Sequence, residues 1–284
     1  RPEQRYPEAR DWLGKRGFKT TLEYLSHVCQ LVFEETKMLP HANPGTMARR
    51  EIEALQPYNP SMGLMLESTS TSLYAKGGPH EFAPSKRPNV RLKTLELAGQ
   101  LRVPFTTGIL IGIGESRRDR IESLLAIADL QSRYGHIQEV IIQNFLAKPN
   151  TPMGSNPDAQ TDELLWTVSV ARLILGSDAN LQVPPNLSAK DYQIYLDAGI
   201  NDWGGVSPLT IDFVNPEAPW PALNDLKTKT EGAGFDLRPR LPIYPEYFLN
   251  TDEFLSEPLL QKVSSMADVE GYAEGGMKRY AGRS

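Results

Sequence analysis

The chain has 284 residues, 40% of them hydrophobic, and a formal net charge of −5 at pH 7. That length and apolar content suit one large domain or two small ones, and no apolar run approaches the ~18 residues that point to a membrane span. The mild acidic excess gives no electrostatic basis for nucleic acid or a membrane surface as partner, and with no cleavable leader visible the cytosol is the expected compartment.

The chain opens RPEQRYPEARDWLGKRG, with Arg rather than Met in first place, and reads as the interior of a longer polypeptide. TLEYLSHVCQLVFEETK follows at helical spacing, its apolar side carrying Leu25, Cys29, Val32 and Phe33. The single cysteine has no disulfide partner and no His or Cys arrangement beside it, so it is expected in the core. Strand-like runs at 37–41, 61–67, 105–111, 138–145, 181–184 and 200–206 then alternate with helical patterns at 47–55, 90–101, 117–133, 162–175 and 189–198. Such alternation predicts an α/β fold with a parallel sheet, closed or nearly closed as a (β/α) barrel; an open doubly wound sheet is the alternative. Loops rich in Pro, Gly and Ser at 74–88 and 148–160 are placed to cover an active face, and the final YAEGGMKRYAGRS has little to bury and is expected to fray.

The run PFTTGILIGIGES delivers Gly108, Gly112 and Gly114 at the end of an apolar strand, followed by Glu115. Glycine lets backbone approach a flat ring, yet the spacing matches neither the Rossmann fingerprint nor the P-loop. The same junction also reads as simple loop chemistry, with Glu115 and Ser116 opening a helix where negative charge is favoured.

Every strand exit carries polar side chains: His41 and Asn43, then Glu67, Ser68 and Thr69, then Gln143, Asn144 and Lys148, then Gln182 and Asn186, and last Asp202, Trp203 and Ser207. Each alone has a structural explanation as a turn former, a cap or a partner for loop backbone. Gathered at the C-terminal ends of parallel strands, they predict a binding mouth. No G-x-S-x-G or H-E-x-x-H occurs, and His27, His41, His80 and His136 have no zinc spacing. Acid–base work by Glu67 or Asp202 with His41 stays open.

The runs PHANPG, SMGLMLEST, VPFTTGILIGIGE, GHIQEVIIQNF, PPNL and DWGGVSPLT, in this order, resemble the FO synthase family of radical S-adenosylmethionine (SAM) enzymes. The resemblance extends from RPEQRYPEA to about Tyr247. Biotin synthase and aminofutalosine synthase share the strand-exit pattern, but PHANPG and DWGGVSPLT resemble the deazaflavin enzymes. The resemblance implies a radical SAM (β/α) barrel over 1–250, TIM-like but partial and lacking its first strands, with 251–284 as a C-terminal extension and partly flexible tail. It implies a [4Fe-4S] cluster and SAM as cofactors, and a 5′-deoxyadenosyl radical acting on a tyrosine adduct of 5-amino-6-ribitylaminouracil. Ring closure with loss of ammonia would give FO, 7,8-didemethyl-8-hydroxy-5-deazariboflavin, the precursor of coenzyme F-420.

The family's CxxxCxxC loop is absent from this chain, so the resemblance implies a piece that holds SAM and substrate, is inactive alone, and has its cluster ligands upstream. The implied partners are the small-molecule substrate and a subunit or fused domain that makes the adduct. A sister transferase joining tyrosine to the uracil, and a cluster-free barrel that only binds, remain as alternatives.

For the site, the resemblance puts Glu67, with Ser68 beside it, on the SAM ribose, where a carboxylate suits two vicinal hydroxyls. Gly108, Gly112 and Glu115 match the family's G-x-I-x-G-x-x-E, with Leu110 in place of Ile. It sets the glycine backbone against adenine, while Glu115 ties the loop to its helix. Gln143, Asn144 and Phe145 line the adenine side; His41, Asn43, Gln182, Asn186 and Asp202 are assigned to the pyrimidine and ribityl groups. No metal ligand and no radical-quenching residue is identified.

Overall fold

The computed structural model describes residues 1–188, 192–207, 209–249 and 251–275. In chain order, helices α1 (Pro2–Arg5), α2 (Pro7–Gly14) and α3 (Thr21–Glu35) precede strand β1 (His41–Ala42), α4 (Arg49–Leu55) and β2 (Ser61–Gly63). Next come α5 (Pro88–Gln100), β3 (Phe105–Ile111), α6 (Arg117–Tyr134), β4 (Ile137–Asn144), α7 (Thr161–Leu175) and β5 (Leu181–Gln182). Helices α8 (Ile194–Asp197), α9 (Leu223–Gly232) and α10 (Glu257–Ser264) complete the series. The five strands keep chain order across the sheet, β1-β2-β3-β4-β5, and β1 with β2 and β4 with β5 run parallel. A doubly wound sheet reverses its order at a switch point, whereas a (β/α) barrel lays each strand beside the last. The observed order is the barrel's.

The chain divides into two compact units, one of Arg1–Gly63, Leu97–Phe105 and Pro239–Ser284, the other of Leu64–Glu96 and Thr106–Arg238. In the first, α3 starts at a capping box in which Thr20 and Glu23 exchange side-chain and backbone hydrogen bonds. Its inner face buries Leu22 and Cys29, and the Cys29 thiol lies 3.7 Å from Asn59 Oδ1. Burial pushes that thiol's pKa up, as for a core residue without nucleophilic work. The main apolar cluster of this unit joins Leu241, Ile243, Tyr247 and Phe248 to Leu255, Leu259 and Val263, with Phe33 and Leu39 packed against it. Residues on both sides of position 250 thus share one cluster. Lys262 reaches the Phe33 carbonyl and, at 2.7 Å, the Thr36 carbonyl, covering acceptors at the C-terminal end of α3.

Several strands are shorter than the sequence pattern suggests, each for a local reason. The expected strand at 37–41 survives only as β1, because Pro40 has no amide to give a ladder and the Met38 amide turns to Thr36 Oγ1 at 3.0 Å. The run 61–67 is regular to Gly63 and then pairs irregularly, through Leu64 N to Thr106 O and Glu67 N to Gly108 O, both 3.0 Å. The run 200–206 reduces to one bridge, Gln182 to Asp202, because the chain turns away at Gly204, whose φ is 74°. The helical pattern at 189–198 is realised as α8; residues 189–191 lie outside the described set, as do 276–284, where fraying is expected. Helices α1, α2, α9 and α10 have no counterpart among the predicted elements.

In the second unit, β3, β4 and β5 supply the buried Ile109, Ile111, Val140, Ile142 and Leu181, and α6 and α7 the buried Leu124, Ile127 and Val168. Arg172, near the end of α7, donates to the carbonyls of Gly199, Gly176 and Ala179 at 2.7–2.8 Å and holds together the loops around β5.

His136 is fully buried at the start of β4, its Nε2 2.9 Å from the Leu95 carbonyl oxygen. Burial outweighs that hydrogen bond and lowers its pKa from 6.5 to about 4. The unfolded chain therefore binds a proton between those values that the folded chain refuses. Stability is complete above pH 6.5 and falls toward pH 4, by on the order of 3 kcal/mol from this group. Urea denaturation of His136→Gln across that range should show a visibly flatter pH dependence than the parent; an unchanged slope would assign the acid sensitivity elsewhere.

Candidate functional site

Glu67 ends the segment that continues β2, and its backbone is fixed on both sides by β3: its amide donates to Gly108 O at 3.0 Å and its carbonyl accepts from Leu110 N at 2.9 Å. Pinned in this way, it adopts φ 66°, a left-handed conformation uncommon for a residue with a side chain. The carboxylate that results is largely buried and ringed by basic groups. Lys86 Nζ lies 2.8 Å and His80 Nε2 3.3 Å from Oε2, while Arg91 approaches Oε1 at 3.3 Å. Burial alone would raise the Glu67 pKa, but the His80 contact and the Arg91 and Lys86 charges outweigh it and hold the group down at about 2.

The basic groups are themselves anchored. Arg91 donates to the Met65 and Ser85 carbonyls, and the Tyr74 hydroxyl donates to the Lys86 carbonyl. His80 packs against the Tyr74 ring, centroids 5.3 Å apart, and its buried Nδ1 has no hydrogen-bond partner among the described residues. Ser68, 2% exposed, accepts from the Ser70 amide at 3.1 Å and so serves its own loop.

The glycine-rich turn after β3 is organised by a second acid. Glu115 accepts from the amides of Gly112 and Ile113 at 2.8 and 2.9 Å and from Arg120 Nε at 2.8 Å. Arg120 also donates to Glu163 at 2.6 Å and Thr167 at 3.2 Å, so the turn is tied through α6 to α7. Glu115 is thus engaged by the protein's own backbone and by Arg120. Internal packing also requires these glycines. A Cβ on Gly108 would fall 2.1 Å from the Ile141 carbonyl oxygen of the neighbouring strand, and one on Gly112, where φ is 91°, would fall 2.6 Å from Ala159 Cβ.

Parallel pairing brings the C-terminal ends of β3, β4 and β5 to one edge of the second unit, as Phe145 N to Ile111 O at 2.9 Å and the Gln182–Asp202 bridge confirm. At that edge Asn144 is 6% exposed and donates to the Leu187 carbonyl at 2.6 Å. Gln143 and Phe145 flank it, half-buried. Gln182 is buried against Gly204 and the Trp203 carbonyl, Asp202 accepts from the Gly204 amide, and Asn186 donates to Asp212 Oδ2 at 3.0 Å and the Ala218 carbonyl at 3.2 Å.

His41 and Asn43 belong to the first unit. His41 pairs with Ser61, the opening residue of β2, and its Nδ1 meets Ser61 Oγ at 2.7 Å, while Ser61 donates to the Pro242 carbonyl. Desolvation of the ring and the Arg240 charge lower its pKa to about 4, although the residue as a whole is exposed. Asn43 is exposed.

His80, Lys86 and Arg91, the groups that surround Glu67, were invisible as site residues because they lie in a loop and the first turns of α5, 13 to 24 residues beyond their partner. The available signal was the basic run at the end of HEFAPSKRPNVR, next to a strand-end acid. No group of three or more His, Cys, Asp or Glu able to hold a metal ion occurs among the described residues, and none of their helices is long and apolar enough to cross a membrane.

No protein-family model matches the chain. It is 52% identical over 273 residues to 7,8-didemethyl-8-hydroxy-5-deazariboflavin synthase of Methanopyrus kandleri, an alignment covering 96% of this chain and 81% of the relative. It is 51% identical over 271 residues to FO synthase of Streptomyces coelicolor and 48% identical over 270 residues to that of Mycobacterium tuberculosis. These alignments cover 95% and 94% of this chain but 31% and 32% of the relatives, so the chain spans about a third of those actinobacterial proteins. Among solved structures, methylornithine synthase PylB superposes with a TM-score of 0.58 at 19% identity, covering 76% of this chain and 64% of that one. The hydrogenase maturase HydG of Carboxydothermus hydrogenoformans gives 0.54 at 18%, covering 76% and 52%. These likenesses speak to the fold.

The packing of the glycine turn makes a testable demand. Gly112→Ala should destabilise the protein by about 2–4 kcal/mol, the sum of left-handed strain and overlap with Ala159. Ala159→Gly in the same protein should recover part of the loss, the overlap without the strain. Additive effects of the two changes in chemical denaturation would contradict the contact.

Proposed function

The chain belongs to the FO synthase family, and on that premise we propose that it is the portion of a radical SAM enzyme that holds SAM and the substrate during formation of FO. The fold is a partial radical SAM barrel, α/β with a parallel sheet. The substrate in this reading is the tyrosine adduct of 5-amino-6-ribitylaminouracil, cyclised with loss of ammonia, which makes the enzyme a carbon–nitrogen lyase. The observation that supports it most is the identity of about half the residues, across 96% of the chain, to a relative named for this product. The transferase and binding-only alternatives are not favoured by these relatives. The length of the actinobacterial relatives supports a fused or separate partner that makes the adduct.

Two cofactors are implied, and the residues fit them differently. A [4Fe-4S] cluster with an open iron needs three thiolates. This chain has one cysteine, buried and hydrogen-bonded to Asn59, so its residues do not fit the cluster, whose ligands in this reading come from elsewhere in the complete polypeptide. By itself the chain is therefore expected to be inactive. SAM fits. When bound, it supplies the deoxyadenosyl group that abstracts hydrogen in this class of enzyme. Glu67 is the residue to hold its ribose, because a carboxylate offers about four lone-pair directions and three are engaged here. Among the described residues Oε1 is met by Arg91 alone, which leaves it a direction for one hydroxyl. The second hydroxyl takes the place of Lys86, which is the most exposed of the three basic side chains around the acid. Asn144, the half-buried Gln143 and Phe145, and Asn186, Gln182 and Asp202 make up the remaining wall, shared between the adenine and the substrate.

In the complete, cluster-loaded polypeptide, Glu67→Gln should weaken SAM binding roughly ten- to hundredfold, the loss expected of charge-assisted hydrogen bonds worth about 1.5–3 kcal/mol. Equilibrium dialysis with labelled SAM measures it. An unchanged dissociation constant in folded protein would take Glu67 out of the SAM site while leaving family membership intact.

A further inference from the structure

Two buried amide oxygens at the strand edge lack any donor. Asn144 Oδ1 and Asn186 Oδ1 are both shielded from solvent and have no hydrogen-bond partner among the described residues. Their orientations are fixed by chemistry. The Asn144 amino group faces the Leu187 carbonyl at 2.6 Å, and a flipped amide would set oxygen against oxygen. Both protons of the Asn186 amino group are used, toward Asp212 Oδ2 at 3.0 Å and the Ala218 carbonyl at 3.2 Å, and neither partner can donate in return. The Asn144 amide is bonded to the residue that follows Asn186, so the two asparagines are neighbours through Leu187.

A buried acceptor without a donor is unfavourable and seldom kept without a reason. We propose that Asn144 and Asn186 form an acceptor pair that recognises N–H donors on the edge of a bound heterocycle, and so set ligand specificity. The proposal rests on the functional reading above, which supplies two such edges: the exocyclic amino group of the SAM adenine and the ring N–H of the pyrimidine substrate. Neither a carbonyl edge nor an anion suits the pair, since both would meet oxygen with oxygen. A site built to accept a hydrogen bond from its ligand rejects an analogue lacking that donor far more strongly than a merely apolar pocket rejects a change of shape.

The test is discrimination, measured in the complete, cluster-loaded polypeptide under anaerobic conditions. One arm compares dissociation constants for SAM and for SAM dimethylated at the adenine amino group; the other compares 5-amino-6-ribitylaminouracil with its N3-methyl analogue. The parent protein should prefer the unmethylated ligand at least tenfold in one arm, and that arm identifies the heterocycle. In Asn144→Ala and Asn186→Ala the preference in the same arm should fall to within about twofold. Thermal melts establish that each variant is folded, and Asn144→Ser serves as a milder change if the alanine form is not. Variants that bind both ligands of a pair more weakly but keep the parent's ratio would overturn the proposal and leave the asparagines a structural role. Equal binding of methylated and parent ligands by the unmodified protein would also overturn it. Failure of the unmodified protein to bind either parent ligand would overturn the functional reading along with it.

Discussion

The Glu67 carboxylate, held on a left-handed backbone among Lys86, His80 and Arg91, is the interaction around which the second unit is arranged. Its main-chain pairing with Gly108 and Leu110 sets where the irregular continuation of β2 ends. Its side chain gives the loop after it a reason to fold back: Lys86 and Arg91 come to the acid, and Tyr74 and the Ser85 carbonyl hold them there. A carboxylate taken out of water is tolerated only when its charge is compensated. Here the compensation is more than complete, since two permanent cations and a histidine meet one acid. That excess keeps Glu67 ionised over the whole physiological range and available as an acceptor.

Glu115 makes the contrast plain. It lies at the next strand exit and is also buried, but its acceptors are spent on two backbone amides and one guanidinium. The first acid is met by side chains alone; the second shapes the turn after β3, the wall beside it in the proposed site. Through Arg120 and Glu163 that wall is braced against α6 and α7, so the strand edge carrying Asn144 and Gln182 is presented by rigid elements rather than by loops.

Much of this was legible in the sequence. Alternating apolar runs predicted the parallel α/β order, and polar residues at successive strand exits pointed to the second unit, which holds Glu67, Asn144, Gln182 and Asp202. What escaped was set by tertiary neighbours. The neighbours that make glycine necessary, Ile141 at Gly108 and Ala159 at Gly112, come from distant parts of the chain and leave no mark in one dimension. The basic groups around Glu67 sit in a Pro-rich loop and the start of a helix whose path no periodicity fixes. His41 was grouped with the strand exits because the run 37–41 was taken to end there. With Pro40 excluding a ladder, His41 instead opens β1 and pairs with the first residue of β2, six positions before Glu67.

The account turns on a polypeptide of this family using these residues to make a deazaflavin, and product analysis decides it most directly. The complete polypeptide with its cluster assembled should be supplied anaerobically with SAM and the tyrosine–uracil adduct, and products followed by mass and fluorescence. The account predicts 5′-deoxyadenosine and ammonia together with fluorescent FO, and none of the three from residues 1–284 alone. Cleavage of SAM without FO would contradict the substrate, and turnover by residues 1–284 alone would contradict the placement of the cluster ligands outside them.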